Sequence, residues 1–274
     1  MIVARMVWLG MLTGLVLPAT AAAQSLDDLY WLEVGGYLPD VDSKVRVASV
    51  DLPNVATTID LESDLDLTDR KTLPQVSAGM RFSGNWSLEA EYYSLRRSGS
   101  VGIRREIVFD DVTYPIGARV SSSFDSSIYR VTAGYSFVRN QNTRVGAALG
   151  LHATDFEVSL SGDAQVGGVI GQAAARRRSF LAPLPTLGLF ASQRLAPDLT
   201  LSGRADYLSL KVGDYSGRLL NAQASIVWRF AKNVGVGAMY RHVNYRVDVD
   251  KERWNGRLRY AFSGPALFVQ VGFR

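Results

Sequence analysis

The sequence predicts an all-β chain: a single transmembrane antiparallel β-barrel of ten strands, made after a signal peptide is cleaved. Three observations carry that reading. The first stretch of the chain is laid out as a secretory leader. No later stretch is long and apolar enough to cross a membrane as a helix. After the leader, hydrophobicity recurs with a period of two residues, the period of strands. Lipid offers no hydrogen-bond partner to a free sheet edge, so a sheet that crosses it must close on itself.

The leader is read first. Arg5 is its only charge, Met6 to Leu17 is its apolar centre, and Ala21-Ala22-Ala23 is a small-residue cleavage signal. Residues 1–23 are therefore expected as signal peptide and 24–274 as the barrel domain, with Gln24 at the mature N-terminus. Pro18 breaks the segment before it reaches spanning length. The chain has no cysteine, which excludes disulfides, thiolate metal ligands, thiol nucleophiles and a lipidated cysteine. A net charge of +4, evenly mixed with acids, gives no case for nucleic acid.

Period-two reading places strands at 29–38, 72–83, 86–109, 112–138, 144–161, 179–196, 199–217, 218–231, 234–250 and 255–274. Gly84-Asn85, Arg139 to Asn142, Pro197-Asp198 and Lys232-Asn233 are tight polar turns after the second, fourth, sixth and eighth strands. The other connections are a long acidic segment from Pro39 to Lys71, then Asp110-Asp111, Gly162 to Arg178, Gly213 to Gly217 and Asp250 to Asn255. Short turns on one rim and longer loops or strand extensions on the other are expected of a membrane barrel. Both termini then fall on the short-turn rim.

Each strand has a legible apolar face. The second puts Val76, Ala78, Met80 and Phe82 opposite Gln75, Ser77, Gly79 and Arg81. The third puts Trp86, Leu88, Ala90 and Tyr92 opposite Ser87, Glu89 and Glu91, and the fourth puts Tyr129, Val131, Ala133, Tyr135 and Phe137 opposite Arg130, Thr132, Gly134 and Ser136. The fifth runs Val145, Ala147, Leu149, Leu151 and then changes face at Phe156 and Val158. In the sixth, Pro183 and Pro185 cannot donate to a ladder, which predicts a bulge or a position above the membrane. The eighth and ninth alternate cleanly around Ile226 and Val236. Phe82, Trp86, Phe137, Trp228, Phe230 and Phe273 all lie beside the short turns. Aromatics gathered at one level read as an interfacial girdle, so the apolar faces are expected to meet lipid.

The last strand alternates Leu267, Val269, Val271 and Phe273. With the leader and the turn asymmetry, this chain resembles the small Gram-negative outer-membrane β-barrel superfamily, which includes opacity-type adhesins and narrow porin-like proteins. Arg274 follows the aromatic, where the family more often ends on it. The resemblance implies residence in the cell outer membrane, among its lipid and lipopolysaccharide. It also implies recognition of the Phe273 strand by the barrel assembly machinery. It names no activity, because this fold carries many.

Inward charges form the main constellation: Glu33, Arg81, Glu89, Glu91, Arg130, Arg204, Asp206, Arg229 and Arg241. In a narrow lumen both signs are needed together, as a salt-bridged filling or as the lining of a narrow anion-favouring pore. His152 and His242 are the only histidines; His152 with Asp155, or His242 with Asp248, are the pairs a catalytic site would draw on. Asp60, Glu62, Asp64, Asp66 and Asp69 make the first long loop acidic, which suits a solvated loop or a divalent-ion bridge, without the glycine of a calcium loop. Arg96, Arg97, Arg104 and Arg105 on the upper hairpin, and Arg176-Arg177-Arg178 in the third long loop, are candidate contacts for lipopolysaccharide phosphates. Ser98 to Asp125 is expected to stand clear of the bilayer as a paired ribbon with Asp110-Asp111 at its exposed tip. Gly167-Gly168-Val169-Ile170-Gly171 is no nucleotide fingerprint, because no helix follows it. No catalytic residue, cofactor or metal is expected. The functional expectation is a structural, porin-like or surface-interaction role; a lipid-directed hydrolase or acyltransferase, and an adhesin working through its long loops, are the alternatives.

Overall fold

A computed structural model describes residues 25–49, 56–166, 169–252 and 254–274. The leader, its cleavage site and Gly167-Gly168 lie outside the described residues. The period-two segments form β1 (Tyr30–Tyr37), β2 (Asp40–Ser49), β3 (Ile59–Asp60), β4 (Leu73–Phe82), β5 (Trp86–Gly102), β6 (Ile107–Phe109) and β7 (Val112–Tyr114). They continue with β8 (Arg119–Arg139), β9 (Thr143–Val166), β10 (Val169–Ala196), β11 (Leu199–Val212), β12 (Tyr215–Arg229), β13 (Val234–Asp250) and β14 (Trp254–Phe273). Ten of these close a ring in the order β1-β4-β5-β8-β9-β10-β11-β12-β13-β14, with β14 returning to β1. Every ladder in the ring is antiparallel, and Phe273 closes it opposite Tyr30.

The acidic segment from Pro39 is not simply a loop. β2 continues upward along β14 where β1 stops, pairing Ser263 to Trp254 with Asp40 to Ser49. The step between β1 and β2 falls opposite Gly264-Pro265, where the Leu38 N–H donates to the Pro265 carbonyl at 2.9 Å. A Cβ at Gly264 would stand 2.2 Å from the Leu38 carbonyl oxygen, so glycine is what lets the two chains pass. Along β13 the Gly264-Pro265 register runs on without a bulge. Pro183 and Pro185 also sit in unbroken register with β9, at a level where β10 has lost its other neighbour, since pairing with β11 ends at Leu187 and Tyr207. A strand with one unpaired edge tolerates prolines.

Two departures concern the long connections. Residues 162–166 and 169–178, read as part of a loop, extend the β9–β10 hairpin instead, and Arg176, Arg177 and Arg178 stand on β10 opposite Leu160, Ser159 and Val158. The upper ribbon is paired only to Gly102 and Arg119. Beyond that the β6–β7 hairpin folds over the mouth of the barrel. Ile107, Phe109, Val112 and Tyr114 are wholly buried there. The hairpin spans from β2, where Asp110 N–H meets the Val47 carbonyl at 3.2 Å, to β9, where Tyr114 donates to the Leu160 carbonyl at 3.1 Å. The expected exposed tip at Asp110-Asp111 is therefore corrected in part: apolar residues on both sides of the turn draw Asp110 inward, while Asp111 stays exposed. The first long connection does the same, burying Leu61, Leu65 and Leu67.

The interior changes character with height. In the lower part, outward residues are apolar and exposed: Val76, Val131, Leu149, Ile226 and Val236 form a belt, with Phe82, Trp86, Phe137, Trp228, Phe230 and Phe273 exposed near the short turns. Exposed Tyr92, Tyr129, Tyr207 and Tyr240 mark the upper edge of that belt. Two levels of interfacial aromatics around an apolar band fit a bilayer. Above the upper tyrosines the same strands bury Leu95, Phe124, Phe156, Val247 and Leu258 inside.

Candidate functional site

The inward charges of the lower barrel assemble into one network because their strands present them at neighbouring levels. Arg130 of β8 is the hub. Its Nε donates to Glu91 at 2.9 Å, it contacts Glu89, and its Nη1 lies 3.6 Å from Asp206. Arg204 binds Asp206 at 2.8 Å and reaches Glu89 at 3.5 Å, and donates to the Thr132 hydroxyl at 2.9 Å. Arg241 pairs with Glu91 and donates to Gln223 at 3.1 Å, with its guanidinium 5.0 Å from the centre of the Tyr93 ring. Burying so much charge is tolerable only when both signs are present and bonded, as here.

Two further clusters complete the lumen. Glu33 accepts from Gln270 at 2.7 Å and Ser77 at 3.0 Å. Arg229, near the short-turn rim, pairs with Asp28 and donates to Gln270 at 3.1 Å. Arg81 donates to the Asp28 carbonyl and lies 4.4 Å over the Trp31 ring. A cavity of about 170 Å³ lies among these side chains, with Glu33, Glu89, Arg81 and Arg204 in its wall and Leu26 below. Above it Tyr37, Tyr93, Tyr245 and Phe262 meet ring to ring at 6.0–6.4 Å.

The sequence reading missed Gln223, Gln270 and Asp28 as members of this network. Gln223 and Gln270 share the inward parity of their strands, and that signal was available. Asp28 precedes the first strand and no period marks it.

The cations expected to meet lipopolysaccharide are largely engaged within the chain. Arg97 is corrected outright. It points inward and is 2 % exposed, bonded to Glu62, to the Ser43 hydroxyl at 2.6 Å and to the Thr68 carbonyl at 3.1 Å. Parity explains this, since Arg97 continues the inward face of Glu89 and Glu91. Arg105 binds Asp64 at 3.0 Å, Arg176 binds Asp111 at 2.9 Å, Arg177 pairs with Glu157, and Arg178 with Asp110. Arg96 and Arg104 remain exposed. The Arg176 bond holds the Asp111 carboxyl below its usual range, while burial pushes Asp110 above it.

The acidic loop folds upon itself. Asp60 accepts from the Ser63 N–H at 3.0 Å, and Asp64 accepts from the Asp60 N–H at 2.8 Å. Among the described residues no group of three or more His, Asp or Glu side chains is placed to hold a metal ion. The histidine pairings do not form. His152 is buried and inward, 3.4 Å from the Tyr245 hydroxyl, whereas Asp155 faces out. His242 meets the Ser263 hydroxyl at 2.9 Å, and Asp248, farther up the strand, holds Arg257.

The comparisons agree with this architecture. A family described as "Outer membrane protein beta-barrel domain" matches residues 10–262. Among solved structures the chain is similar to the outer membrane protease OmpT from Escherichia coli, with 11 % identity and a TM-score of 0.56, over 91 % of this chain and 98 % of that one. It is also similar to the translocator domain of the autotransporter NalP from Neisseria meningitidis, with 11 % identity and a TM-score of 0.47 over 90 % of each chain. At this identity the likeness to OmpT is one of fold. No curated protein sequence matches the chain.

Proposed function

The chain belongs to the outer membrane β-barrel domain family, and from that premise we propose that it acts as a sealed barrel, doing its work through its surface and not through a pore. The observation that carries this reading is the filled upper lumen. Ile107, Phe109, Val112 and Tyr114 of the folded-over hairpin lie in one cluster with Phe124, Phe156, Tyr245 and Tyr260 of the wall. An aqueous path would have to cross that apolar layer and then the bonded network around Arg130. The apolar layer, packed in this way, leaves few voids as large as a water molecule, and the polar cavity lies below it.

A non-enzymatic role fits the same geometry. A hydrolase or acyltransferase of the general acid–base type needs a histidine and a carboxylate in reach of each other. His152 and Asp155 stand on opposite faces of β9, and the hydrogen-bond partner of His152 Nδ1 is the Tyr245 hydroxyl at 3.4 Å. The long folded extension above the belt supplies instead a rigid surface for contact with the cell exterior.

Conductance tests the reading. Full-length protein inserted in planar bilayers should give no steady ion current above the lipid background. A stable open current from the unmodified protein would overturn the sealed barrel and restore the narrow pore.

A further inference from the structure

The strand register exposes a charge pattern that the sequence does not show. On one wall of the upper barrel the outward row is balanced. Arg96 of β5 stands opposite Asp125 of β8, Asp125 opposite Glu157 of β9, and Arg177 of β10 pairs with Glu157. On the opposite wall the row has one sign. Arg218 of β12 stands opposite Arg246 of β13, Arg246 opposite Arg259 of β14, and Arg259 opposite Lys44 of β2. Four cations stand side by side across four adjacent strands, roughly 5 Å from one to the next.

Little within the chain neutralises them. Lys44, at the end of the row, reaches Asp60 at 3.5 Å. Arg246 touches Asp248 only at 3.9 Å, and Asp248 is held by Arg257 from the row above. Arg218 and Arg259 are exposed and have no acidic partner among the described residues. Like charges directly opposite each other on a sheet destabilise it. Such a row is unfavourable alone and favourable once an extended anion lies across it.

Its position identifies the anion. Arg218 is one outward position, about 7 Å, above Leu220. Leu220 and its β11 partner Tyr207 are exposed members of the upper edge of the apolar belt. The row therefore begins where hydrocarbon ends and climbs away from it with the tilt of the strands. We propose that Lys44, Arg218, Arg246 and Arg259 bind the phosphate groups of the lipid-anchored glycan of the outer leaflet, lipopolysaccharide. Arginine suits this role because its planar fork matches phosphate oxygens in pairs. Several phosphates on one glycan can span a row that a single small ion cannot. The site is independent of whether the lumen is sealed.

The test uses full-length protein in neutral phosphatidylcholine vesicles, titrated with purified lipopolysaccharide and with the same material after removal of its phosphates. Native lipopolysaccharide should bind and raise the urea unfolding midpoint; the dephosphorylated material should do neither. Combining Arg218→Ser, Arg246→Ser and Arg259→Ser should weaken binding about fivefold for each cation lost. Arg139→Ser with Lys232→Ser, exposed at the short-turn rim far from the row, should leave binding within about twofold. Without lipopolysaccharide the triple variant should be as stable as the parent or more so, because repulsion has been removed, and that result separates loss of the site from misfolding. The proposal is overturned if the triple variant binds native lipopolysaccharide like the parent, or if phosphate removal changes nothing. It is equally overturned if heparin, a soluble polyanion, binds the row while lipopolysaccharide does not.

Discussion

Below Arg241 on β13, the residues that leave the barrel are Val236, Ala238 and Tyr240, and those that enter it are Gly235, Gly237 and Met239. Above Arg241 the roles exchange. Val243, Tyr245, Val247 and Val249 enter and are buried, while Asn244, Arg246 and Asp250 leave and are exposed. The exchange recurs between Glu91 and Tyr93 on β5, Arg130 and Ile128 on β8, and His152 and Phe156 on β9. One barrel thus has two solvents. Its lower part is lipid outside and polar inside, and its upper part is water outside and hydrocarbon inside. An apolar face read from alternation does not by itself distinguish outside from inside; the level along the strand does.

The largest effect should come from the upper interior. Phe156 is wholly buried, with ring centres of Phe180, Tyr260 and Tyr245 at 5.2, 5.8 and 6.0 Å. Phe156→Ala should cost about 3–5 kcal/mol in urea unfolding from vesicles. Phe137→Ala, at an outward girdle position, should cost markedly less. Equal losses would mean that the upper interior is not a packed core.

A charge sharpens the outward comparison. Leu149 faces the belt and is 62 % exposed. Leu149→Arg should destabilise by about 2–4 kcal/mol near mid-bilayer. Asn244→Arg, outward on β13 but above the exchange, should fall within about 0.5 kcal/mol. If both are tolerated alike, the exchange does not mark the membrane edge.

Much of this fold was legible before any coordinates. The ten ring strands, the four tight turns and the girdle follow from period two and from aromatic placement. The change of face on the fifth strand was legible too, as an anomaly at Phe156 and Val158. Its meaning was not, because one strand gives no height. The folded-over hairpin was lost for a related reason. Arg104, Arg105, Glu106, Asp110 and Asp111 dominate its composition, while Ile107, Phe109, Val112 and Tyr114 look like an ordinary ribbon face until the tyrosine level shows that they lie above the bilayer. Arg97 was misplaced because it was read by composition when its parity pointed inward. The lumen charges were named from parity alone; which of them bond to each other depends on ring closure, which brings β5 and β13 together at Glu91 and Arg241.

The hairpin gives a third comparison, between two positions only a few residues apart. Ile116 is 71 % exposed and Val112 wholly buried. The chain has no cysteine of its own, so single introduced thiols report cleanly. On intact cells Ile116→Cys should react with a membrane-impermeant maleimide on the order of tenfold or more faster than Val112→Cys, whose reaction awaits local opening. Matching rates would return the hairpin to an exposed ribbon.

The smallest effect concerns how the hairpin tip is held against β10, and pH isolates it. Asp111 is bonded by Arg176, which lowers its carboxyl below the ordinary value of 3.8. A carboxylate depressed on folding contributes stability that is present above its unfolded pKa and is lost as pH falls through its folded one. Its neighbour Asp110 is raised, chiefly by burial, so its sign is opposite: its cost is felt above the raised value and is relieved as pH falls. Acid therefore weakens one contact of the tip while easing the other, and bulk measurements would blur the two. Arg176→Gln removes the Asp111 contact. The pair is partly exposed, so the change should be small. Hydrogen exchange of the Val112 amide, corrected for its intrinsic pH dependence, should be slightly faster in this variant than in the parent. That difference should shrink below the 3.8 of a free carboxyl. A difference that survives unchanged at about pH 2 would show that Asp111 is not the group that holds the tip.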